Sequence, residues 1–385
     1  MRLTALALLV ALVACRPVAG SDAAPPPPGP ARDVASEHGQ GQLSVLARGL
    51  SHPWAVAPLP DGGFLVTERP GTLRRVGADG SVSAPLSGVP QVHARGQGGL
   101  LDVVLAPDFA RSRRIFLSYA EADDQGLSGT AVASATLGQA GLEDVTVIYR
   151  QEPRLDPENH YGSRLAFDDQ GHVFISQGER TRRAMAQELD KLQGKLVRLN
   201  LDGSVPEDNP FVGQAGARPE IWSYGHRNSQ GLAIDPRTGK LWESEHGPRG
   251  GDEVNLPRPG RNYGWPIVTH GINYSGQPIP EAVGRERPGM EPPHFVFEVS
   301  PALSGMAFYT GRPGQPWNDS LFLGALAQRQ LIRLQLQGDR VVAEERLLQD
   351  FGERIRDVRL GPDGNLYLVT DEDDGKLLKL EPPRG

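Results

Sequence analysis

Residues 357–372 read DVRLGPDGNLYLVTDE: an alternating apolar strand, a turn containing Asp and Gly, and a second alternating strand. Period-two alternation on both sides of such a turn is typical of a β-hairpin. The pattern occurs six times, and five of the six copies have polar residues at or next to their end. The other five copies are WAVAPLPDGGFLVTER (54–69), LLDVVLAPDFARSRRIFLSYAE (100–121), SRLAFDDQGHVFISQGER (163–180), GLAIDPRTGKLWESEHG (231–247) and SGMAFYTGRPGQPWNDSLFLGAL (304–326). Six copies predict the six blades of a β-propeller, with each hairpin forming the inner strands of one blade.

The copies begin about 45–75 residues apart, which exceeds the roughly 40–50 residues of a common propeller blade. Insertions into connecting loops account for the excess. A β-sandwich is the alternative, but it predicts no repeated Asp-Gly turn. We therefore predict one all-β domain at residues 41–383, a six-bladed β-propeller with one short amphipathic helix at residues 184–193. Because loops of different blades meet over the channel of a propeller, the polar residues at the ends of the copies are predicted to form one site.

The first fifteen residues, MRLTALALLVALVAC, are predicted to be a secretory signal peptide. Their apolar run is shorter than a membrane-spanning helix. It ends in Leu-Val-Ala-Cys, which resembles the lipobox of bacterial lipoproteins, and Cys15 is the only cysteine of the chain. We expect lipidation of Cys15 and export to the periplasm; an ordinary signal peptide with a chance cysteine is the alternative. Arg16 follows instead of Asp, which by resemblance to lipoprotein sorting favours the outer membrane.

Residues 16–40 are rich in proline and small polar residues, with four successive prolines at residues 25–28. Such a segment buries too little apolar area to offset the cost of ordering it. It is predicted to be a disordered, flexible tether between the lipid anchor and the propeller, so that the chain contacts the membrane only through that anchor.

Composition and missing motifs exclude several function classes. The net charge is −7, and the 40 Lys and Arg residues are dispersed along the chain, which argues against a nucleic-acid surface. The sequence contains no P-loop, no GxSxG elbow and no HExxH pair, so nucleotide, serine-hydrolase and zincin chemistry have no support.

The densest group of candidate ligand-binding residues lies between Trp222 and Trp265. It contains the pair Arg227 and Asn228, then the turn GPRGGDE at residues 247–253, and an aromatic end at residues 263–265. Carboxylates and turn carbonyls are hard oxygen ligands of the kind that Ca²⁺ takes. Together with a positive clamp and aromatic faces, they predict a polyanionic aromatic ligand held with a hard cation. An acidic surface turn is the alternative for residues 252–253.

Three further positions could carry chemistry. His160 lies in a Gly-containing loop before an inner strand, and imidazole is the usual general base near neutral pH; a structural loop histidine is an equal alternative. Gln97 lies in a glycine-rich turn that could present it to the channel. Arg354 and Arg356 alternate and therefore face the same way, which suits recognition of carboxylates; a solvated strand end is the alternative.

The combination GQGGLLDV, NHYGSRLAF, WSYGHRNSQGLAIDP, EHGPRGGDE, NYGWP, SGMAFY and RIRDVRLGPDGNLY resembles the soluble aldose sugar dehydrogenases that use pyrroloquinoline quinone (PQQ). The resemblance covers about residues 42–382 and implies an oxidoreductase that oxidises aldoses at the anomeric carbon to lactones, with hydride transfer to calcium-bound PQQ. It implies that His160 is the catalytic base and that Arg227 stabilises charge on the reduced quinone. The cofactor contacts it implies are His160, Gln97, Arg227, Asn228, Tyr274, Ala325, Arg354 and Arg356.

The same resemblance implies two calcium positions. The backbone carbonyls of Gly247 and Pro248 are expected to hold the ion that polarises the quinone. Glu253 and Tyr263 are expected to be ligands of a second, structural Ca²⁺. The partners implied are an aldose substrate and an electron acceptor that the sequence does not identify.

Two departures from the family pattern predict weaker PQQ binding. Val296-Phe297 stands where relatives commonly have a Tyr-Trp pair, and Ala327 stands where they often have a lysine. Arg329 is a candidate to replace the cation of that lysine. A lost charge-assisted contact is worth about 1.5–3 kcal/mol, or one to two decades of affinity. Two other functions stay open at this point: a non-catalytic ligand- or partner-binding propeller with a decayed cofactor site, and a Ca²⁺-dependent lactonase. The arginine pair favours the dehydrogenase, because a lactonase has no tricarboxylate to hold.

Overall fold

A computed structural model describes residues 31–384, which form a ring of six antiparallel sheets. The innermost strand of each sheet contacts those of its two neighbours, so the ring closes around a central channel. Each predicted hairpin is the inner pair of strands of one sheet, which confirms the six-bladed β-propeller.

The first five blades each use strands that follow one another in the chain. Blade 1 contains β3 (Pro53–Pro58), β4 (Phe64–Glu68) and β5 (Thr72–Val76), and blade 2 contains β6 (Leu100–Leu105), β7 (Arg114–Ala122), β8 (Ser128–Leu137) and β9 (Leu142–Arg150). Blade 3 contains β10 (Gly162–Phe167), β11 (His172–Gln177), β12 (Lys195–Asn200) and β13 (Ile221–Tyr224), and blade 4 contains β14 (Ser229–Ile234), β15 (Leu241–Glu245), β16 (Asp252–Asn255) and β17 (Phe295–Phe297). Blade 5 contains β18 (Leu303–Tyr309), β19 (Ser320–Ala325), β20 (Gln330–Gln337) and β21 (Arg340–Leu347).

Blade 6 joins the two ends of the described chain. Its inner strands are β22 (Ile355–Leu360), β23 (Leu366–Thr370) and β24 (Gly375–Glu381), and its outer strands are β1 (Arg32–Ser36) and β2 (Gly39–Leu50). β2 pairs with β24, Leu43 opposite Leu380, so the ring is closed by backbone hydrogen bonds between distant parts of the chain. The predicted boundary at residue 41 is therefore corrected: residues 32–40 of the predicted tether are part of the propeller. The predicted signal peptide, Cys15 and residues 16–30 lie outside the described residues.

The hydrophobic core is divided among the gaps between neighbouring blades. Six clusters of buried apolar side chains each combine residues of two adjacent sheets. Between blades 2 and 3, for example, Phe116 and Val132 pack against Leu165 and Val173. Because both faces of most inner strands are covered, their side chains are buried almost without alternation.

Helical structure is limited to two short segments among residues 31–384. They are the α-helix α1 (Phe109–Ser112) and a 3₁₀ helix at Arg183–Gln187. The prediction of a helix over residues 184–193 is wrong in length. The buried ammonium of Lys195 accounts for the early end, because it donates to the carbonyls of Met185, Ala186 and Gln193. No helix of the described residues has the length and apolar character needed to cross a membrane.

A buried ionic network joins the inner strands near the centre of the ring. Arg164 of β10 lies 2.9 Å from Asp357 of β22 and 3.4 Å from Asp102 of β6. Arg359 binds both carboxylates, at 2.6 and 2.9 Å. The Arg164 guanidinium also stacks on Trp54 of β3, 4.0 Å from the ring centroid. Four blades are thereby connected by two cations and two anions, which balance one another.

Replacing Arg164 by methionine should lower the free energy of unfolding by about 3–5 kcal/mol, because two buried carboxylates lose a partner. Urea unfolding followed by circular dichroism measures this loss. The matched control is Arg150→Met, which removes an exposed ion pair with Glu121 and should cost no more than about 1 kcal/mol. Equal stability of the Arg164 variant and the control would contradict the role assigned to this network.

Candidate active site

A cavity of about 270 Å³ lies over the central channel, where the inner strands begin. Each inner strand has a register shift close to its start, and such bulges re-aim side chains where regular pairing ends. Residues of all six blades therefore converge on the cavity. Its lining residues are Trp54, Arg69, Gly96, Gln97, Leu101, Tyr161, Gly162, Asn228, Gln230, His246, Ala302, Leu326, Arg354, Arg356 and Asp371.

Positive charge dominates the wall formed by blades 1 and 6. Arg69, Arg354 and Arg356 all line the cavity, and Asp371 is the one carboxylate among its lining residues. Asp371 Oδ2 binds Arg356 Nη2 and lies 3.4 Å from Arg354 Nη2. Arg354 and Arg356 do face the same way, as predicted. Asp371 neutralises part of the positive charge of these arginines. The positive charge that remains suits a ligand with several carboxylates.

The pKa of Asp371 confirms how strongly these arginines act on it. Burial alone would raise it, but the charge and hydrogen bond of Arg356, followed by the charge of Arg354, hold the pKa of Asp371 well below its ordinary value. Asp371 therefore stays ionised at neutral pH. Arg356 Nε is buried without a hydrogen-bond partner among residues 31–384, so the arginine wall contains a hydrogen-bond donor that is still free.

On blade 3, opposite the arginine wall of blades 1 and 6, a buried carboxylate holds the side chain of His160. Its Nδ1 lies 2.8 Å from Glu179 Oε2, and the Glu179 side chain is only 1% exposed. A neutral imidazole that donates Nδ1–H to Glu179 has its lone pair on Nε2. Burial lowers the pKa of His160 below its ordinary 6.5, assisted by the charge of Arg227 and opposed by Glu179. At neutral pH His160 is thus an oriented, unprotonated base.

The loop that carries His160 is in an uncommon backbone conformation. His160 and Ser163 have φ of 55° and 85°, and Gly162 between them has φ of 64°. Non-glycine residues rarely adopt this left-handed region, and such strain concentrates at functional sites. The Gln97 side chain stabilises the loop, because its Oε1 accepts the His160 N–H at 2.8 Å. Gln97 therefore lines the cavity, as predicted, and also positions the base.

Arg227 and Asn228 approach the site in different ways. Asn228 lines the main cavity, and its Oδ1 accepts the Gly162 N–H at 3.1 Å. The buried Arg227 side chain instead lines a small adjoining cavity, where Nη1 donates to the carbonyls of His246 and Gly247 at 3.1 and 2.9 Å. Its guanidinium lies over Trp265, 5.4 Å from the ring centroid. Its Nε has no hydrogen-bond partner among the described residues.

Three of the predicted calcium ligands border that small cavity, which measures about 10 Å³. Gly247, Glu253 and Tyr263 line it together with Glu245, whereas Pro248 is absent from the lining. The Tyr263 hydroxyl donates to the Leu256 carbonyl at 2.6 Å, which leaves only its backbone for an ion. Burial, and then the charge of Glu245, raises the pKa of Glu253 well above its ordinary value. A cation beside Glu253 would remove this repulsion.

Several predicted cofactor contacts lie away from the main cavity. Tyr274 is 73% exposed and does not line it, and Ala325 is buried in β19, although its neighbour Leu326 does line it. Phe297 is buried in the core between blades 4 and 5, so the departure at this position changes core packing and not a cavity wall. Ala327 is exposed, and Arg329 donates to the Gly352 carbonyl at 2.8 Å without lining the cavity. The aromatic wall is provided by Trp54.

Sequence reasoning missed Trp54, Arg69, Glu179, Gln230 and Asp371. Arg69, Glu179 and Asp371 share one feature: each follows the second strand of a predicted hairpin. In an antiparallel hairpin the end of the second strand lies beside the start of the first. The polar residues at the ends of the sequence copies could therefore have identified these three residues as neighbours of the site.

Comparisons with known proteins show the family and the fold of this chain. The family model described as glucose/sorbosone dehydrogenase matches residues 50–379. An aldose sugar dehydrogenase of Escherichia coli (strain K12) is 55% identical over 343 residues, which cover 88% of this chain and 92% of that protein. A crystal structure of a glucose dehydrogenase superposes with a TM-score of 0.86 at 63% identity, over 88% of this chain and 98% of that chain. The PQQ-bound form of an aldose sugar dehydrogenase from Streptomyces coelicolor superposes with a TM-score of 0.73 at 29% identity, over 89% of this chain and 98% of that chain.

Proposed function

The chain belongs to the glucose/sorbosone dehydrogenase family, and we propose that it oxidises aldose sugars at the anomeric carbon to lactones, with hydride transfer to calcium-bound PQQ. The observation that carries this proposal is an oriented imidazole, His160, directly before the lining residues Tyr161 and Gly162 of a cavity whose wall contains three arginines. A base and a polyanion site are the two elements that this reaction needs from the protein.

The residues of the cavity fit PQQ as a ligand. PQQ is a planar aromatic tricarboxylate, and Arg69, Arg354 and Arg356 exceed the charge of Asp371 by two. Trp54 offers an aromatic ring to a planar ligand. The partnerless Nε of Arg356 gives a donor that a ligand carboxylate can use. Arg69, Gln97, Asn228, Arg354 and Arg356 would hold the cofactor in this arrangement.

Calcium fits the neighbouring segment at residues 247–263. The Gly247 carbonyl accepts from Arg227 and keeps a second lone pair for an ion shared with the cofactor. Glu253 and the Tyr263 backbone border a cavity of about 10 Å³, roughly the space that one water-sized particle needs. Ca²⁺ takes carboxylate and carbonyl oxygens of this kind. The proposed roles are polarisation of the quinone at Gly247 and Pro248, and stabilisation of the fold at Glu253 and Tyr263.

In this proposed reaction His160, Glu179 and Arg227 have separate roles. When bound, PQQ supplies the electrophilic quinone carbon that accepts the hydride of the sugar. His160 Nε2 takes the proton of the anomeric hydroxyl, and Glu179 stabilises the positive charge that the imidazole gains. The guanidinium of Arg227, fixed by two carbonyls, stabilises negative charge that develops on an oxygen bound nearby.

Reconstitution tests the proposal directly. The purified domain is incubated with PQQ and Ca²⁺, aldoses are added, and reduction of an artificial electron-accepting dye is followed. We expect dye reduction that requires sugar, PQQ and Ca²⁺ together. Absence of dye reduction with every aldose, despite bound PQQ, would refute the proposal. A PQQ titration without any absorbance or fluorescence change would support the non-catalytic propeller with a decayed cofactor site, and lactone hydrolysis without PQQ would support the lactonase.

Replacing Glu179 by glutamine should move the acidic limb of the kcat/KM profile to lower pH. Glu179 raises the pKa of His160, so its removal lowers that pKa, and His160 stays an unprotonated base to lower pH. At the same time kcat should fall, because the imidazolium formed in the reaction loses its counter-ion. The pH profile of dye reduction measures both effects.

Glu158→Gln is the control for this variant. Glu158 is a nearby carboxylate, but its side chain faces Arg95, at 3.3 Å, and not His160. Its pH profile should match that of the unchanged protein. A shift of the Glu179 variant to higher pH would refute the orientation given to His160.

We also propose that the protein is exported and anchored to the periplasmic side of the outer membrane by a lipid on Cys15. The support is the lipobox-like Leu-Val-Ala-Cys and the proline-rich segment after it. Metabolic labelling of the full chain with an alkyne fatty acid tests the anchor. Label that persists in Cys15→Ser, or its absence from the unchanged chain, would refute it.

A further inference from the structure

Behind the Arg227–Asn228 segment lies a buried cluster of acidic side chains whose ion-pair contact among residues 31–384 is with a histidine, His226. Glu243 and Glu245 project from β15, Glu253 projects from β16, and Glu243 and Glu245 are 0% and 3% exposed. Among residues 31–384, no lysine or arginine nitrogen lies within 4.0 Å of these three carboxylates. Uncompensated buried charge is costly, so the cluster needs a positive partner.

Atoms of the cluster that could bind a metal ion lack other partners. Glu243 Oε1, His226 Nδ1 and Asn255 Oδ1 are buried and have no hydrogen-bond partner in the part of the chain that the structure describes. His226 Nδ1 is 3.8 Å from both Glu243 Oε1 and Glu245 Oε1. Its other nitrogen, Nε2, is 2.9 Å from the Ser223 hydroxyl, which can donate to it or accept from it. In the tautomer that donates Nε2–H to Ser223, Nδ1 has a free lone pair for a metal ion.

The spacing of these donors matches a small divalent ion. One donor atom each of His226, Glu243 and Glu245 lies within 4.8 Å of the others. Ligands at about 2.0–2.2 Å from an ion stand some 3–4 Å apart, so only small rotations are needed. Asn255 Nδ2 now donates to Glu243 at 3.1 Å and more weakly to Glu245 at 3.3 Å. Rotation of this amide by 180° would turn its partnerless oxygen towards the same point.

We propose that His226, Glu243 and Glu245 bind a divalent first-row transition ion such as Zn²⁺ or Mn²⁺. An imidazole nitrogen with carboxylates suits these ions, whereas Ca²⁺ prefers an all-oxygen shell. The site adjoins the calcium position proposed at Glu253 and Tyr263: Glu245 also lines that cavity, but the other two ligands, His226 and Glu243, do not. The ion ties the loop before β14 to β15. It therefore fixes the backbone of Arg227, whose N–H donates to Glu245 Oε2 at 2.5 Å.

Metal retention by the purified propeller tests this site without PQQ or activity. The protein is stripped with a chelator, incubated with Zn²⁺ or Mn²⁺, passed through gel filtration and analysed for metal. We expect about one equivalent per chain and a rise in Tm, because an ion that binds only the folded state stabilises it. Glu243→Gln should retain less than a tenth as much metal and lose the rise in Tm. Its metal-free Tm should be no lower than that of the unchanged protein, since a buried charge has been removed.

Two control variants separate this site from others. Glu253→Gln should keep the zinc or manganese, although it removes a proposed calcium ligand. His172→Ala, which removes a surface histidine 2.8 Å from Asp168, should also keep it, and this excludes adventitious surface binding. His226→Gln provides a second loss variant if Glu243→Gln fails to fold. No retained metal in the unchanged protein, or equal retention in both loss variants, would overturn the proposal whether or not PQQ binds.

Discussion

Replacing His160 by alanine is expected to lower kcat by about 10²–10⁴-fold, the usual contribution of a positioned general base. His160 is the one histidine beside the cavity whose Nδ1 is held by a buried carboxylate, at 2.8 Å, so that Nε2 is left to accept a proton. Unlike His160, which precedes the lining residues Tyr161 and Gly162, His246 itself lines the cavity. However, burial and then the charge of Arg227 lower its pKa to about 3, and its Nε2–H is donated to the Leu303 carbonyl. It is a poor base for this purpose.

His172→Ala is the matched control for that experiment. His172 makes the same contact with a carboxylate, Nδ1 to Asp168 Oδ2 at 2.8 Å, but at the turn between β10 and β11, far along the strand from the cavity. Dye reduction under saturating sugar gives kcat for both variants, and a PQQ titration shows whether each still binds cofactor. An unchanged kcat in the His160 variant would mean that another group, or solvent, takes the proton.

The fold could be predicted because its decisive signals are local. Each inner hairpin has its own turn and its own alternation, so six hairpins could be recognised separately. The closure of blade 6 could not be predicted, since β2 pairs with β24, a strand more than 300 residues away in sequence, and β1 pairs only with β2. Residues 32–40 are mostly polar, and only their pairing partners make them strands. The helix predicted at residues 184–193 failed for a related reason, because the buried Lys195 takes up carbonyls that a longer helix would have used.

The site was predictable where a residue comes just before an inner strand. His160, Arg354 and Gln97 occupy such positions, and the structure brings all three to the cavity or its edge. Their partners Glu179 and Asp371 come just after the second strand of the same hairpins. They were missed although antiparallel pairing requires them to lie nearby. The predicted cofactor contact of Tyr274 stays a prediction: Tyr274 lies outside the cavity lining, in a long connection at residues 256–294.

Replacing both Arg354 and Arg356 by methionine should weaken PQQ binding by about 10²–10⁴-fold. Each arginine can make a charge-assisted hydrogen bond worth about 1.5–3 kcal/mol, and each 1.4 kcal/mol is a factor of ten in Kd. Methionine keeps much of the side-chain volume and removes the charge and the hydrogen-bond donors of the guanidinium. Titration of the purified protein with PQQ, followed by fluorescence quenching, measures Kd. Affinity for the unchanged protein should also fall with rising salt, and the double variant should lose most of that dependence.

The double variant leaves the buried Asp371 without its two cations, so a loss of binding could come from local rearrangement. Adding Asp371→Asn removes this unpaired charge while keeping the shape of the side chain. If the arginines act by binding ligand carboxylates, the triple variant should bind PQQ as weakly as the double variant. Recovery of affinity in the triple variant would show instead that the unpaired Asp371 repels the ligand. Arg329→Met is the external control: Arg329 lies outside the cavity and donates to Gly352, so its replacement should leave Kd unchanged. A Kd that rises with Arg329→Met would show that this arginine does take the place of the lysine missing at residue 327.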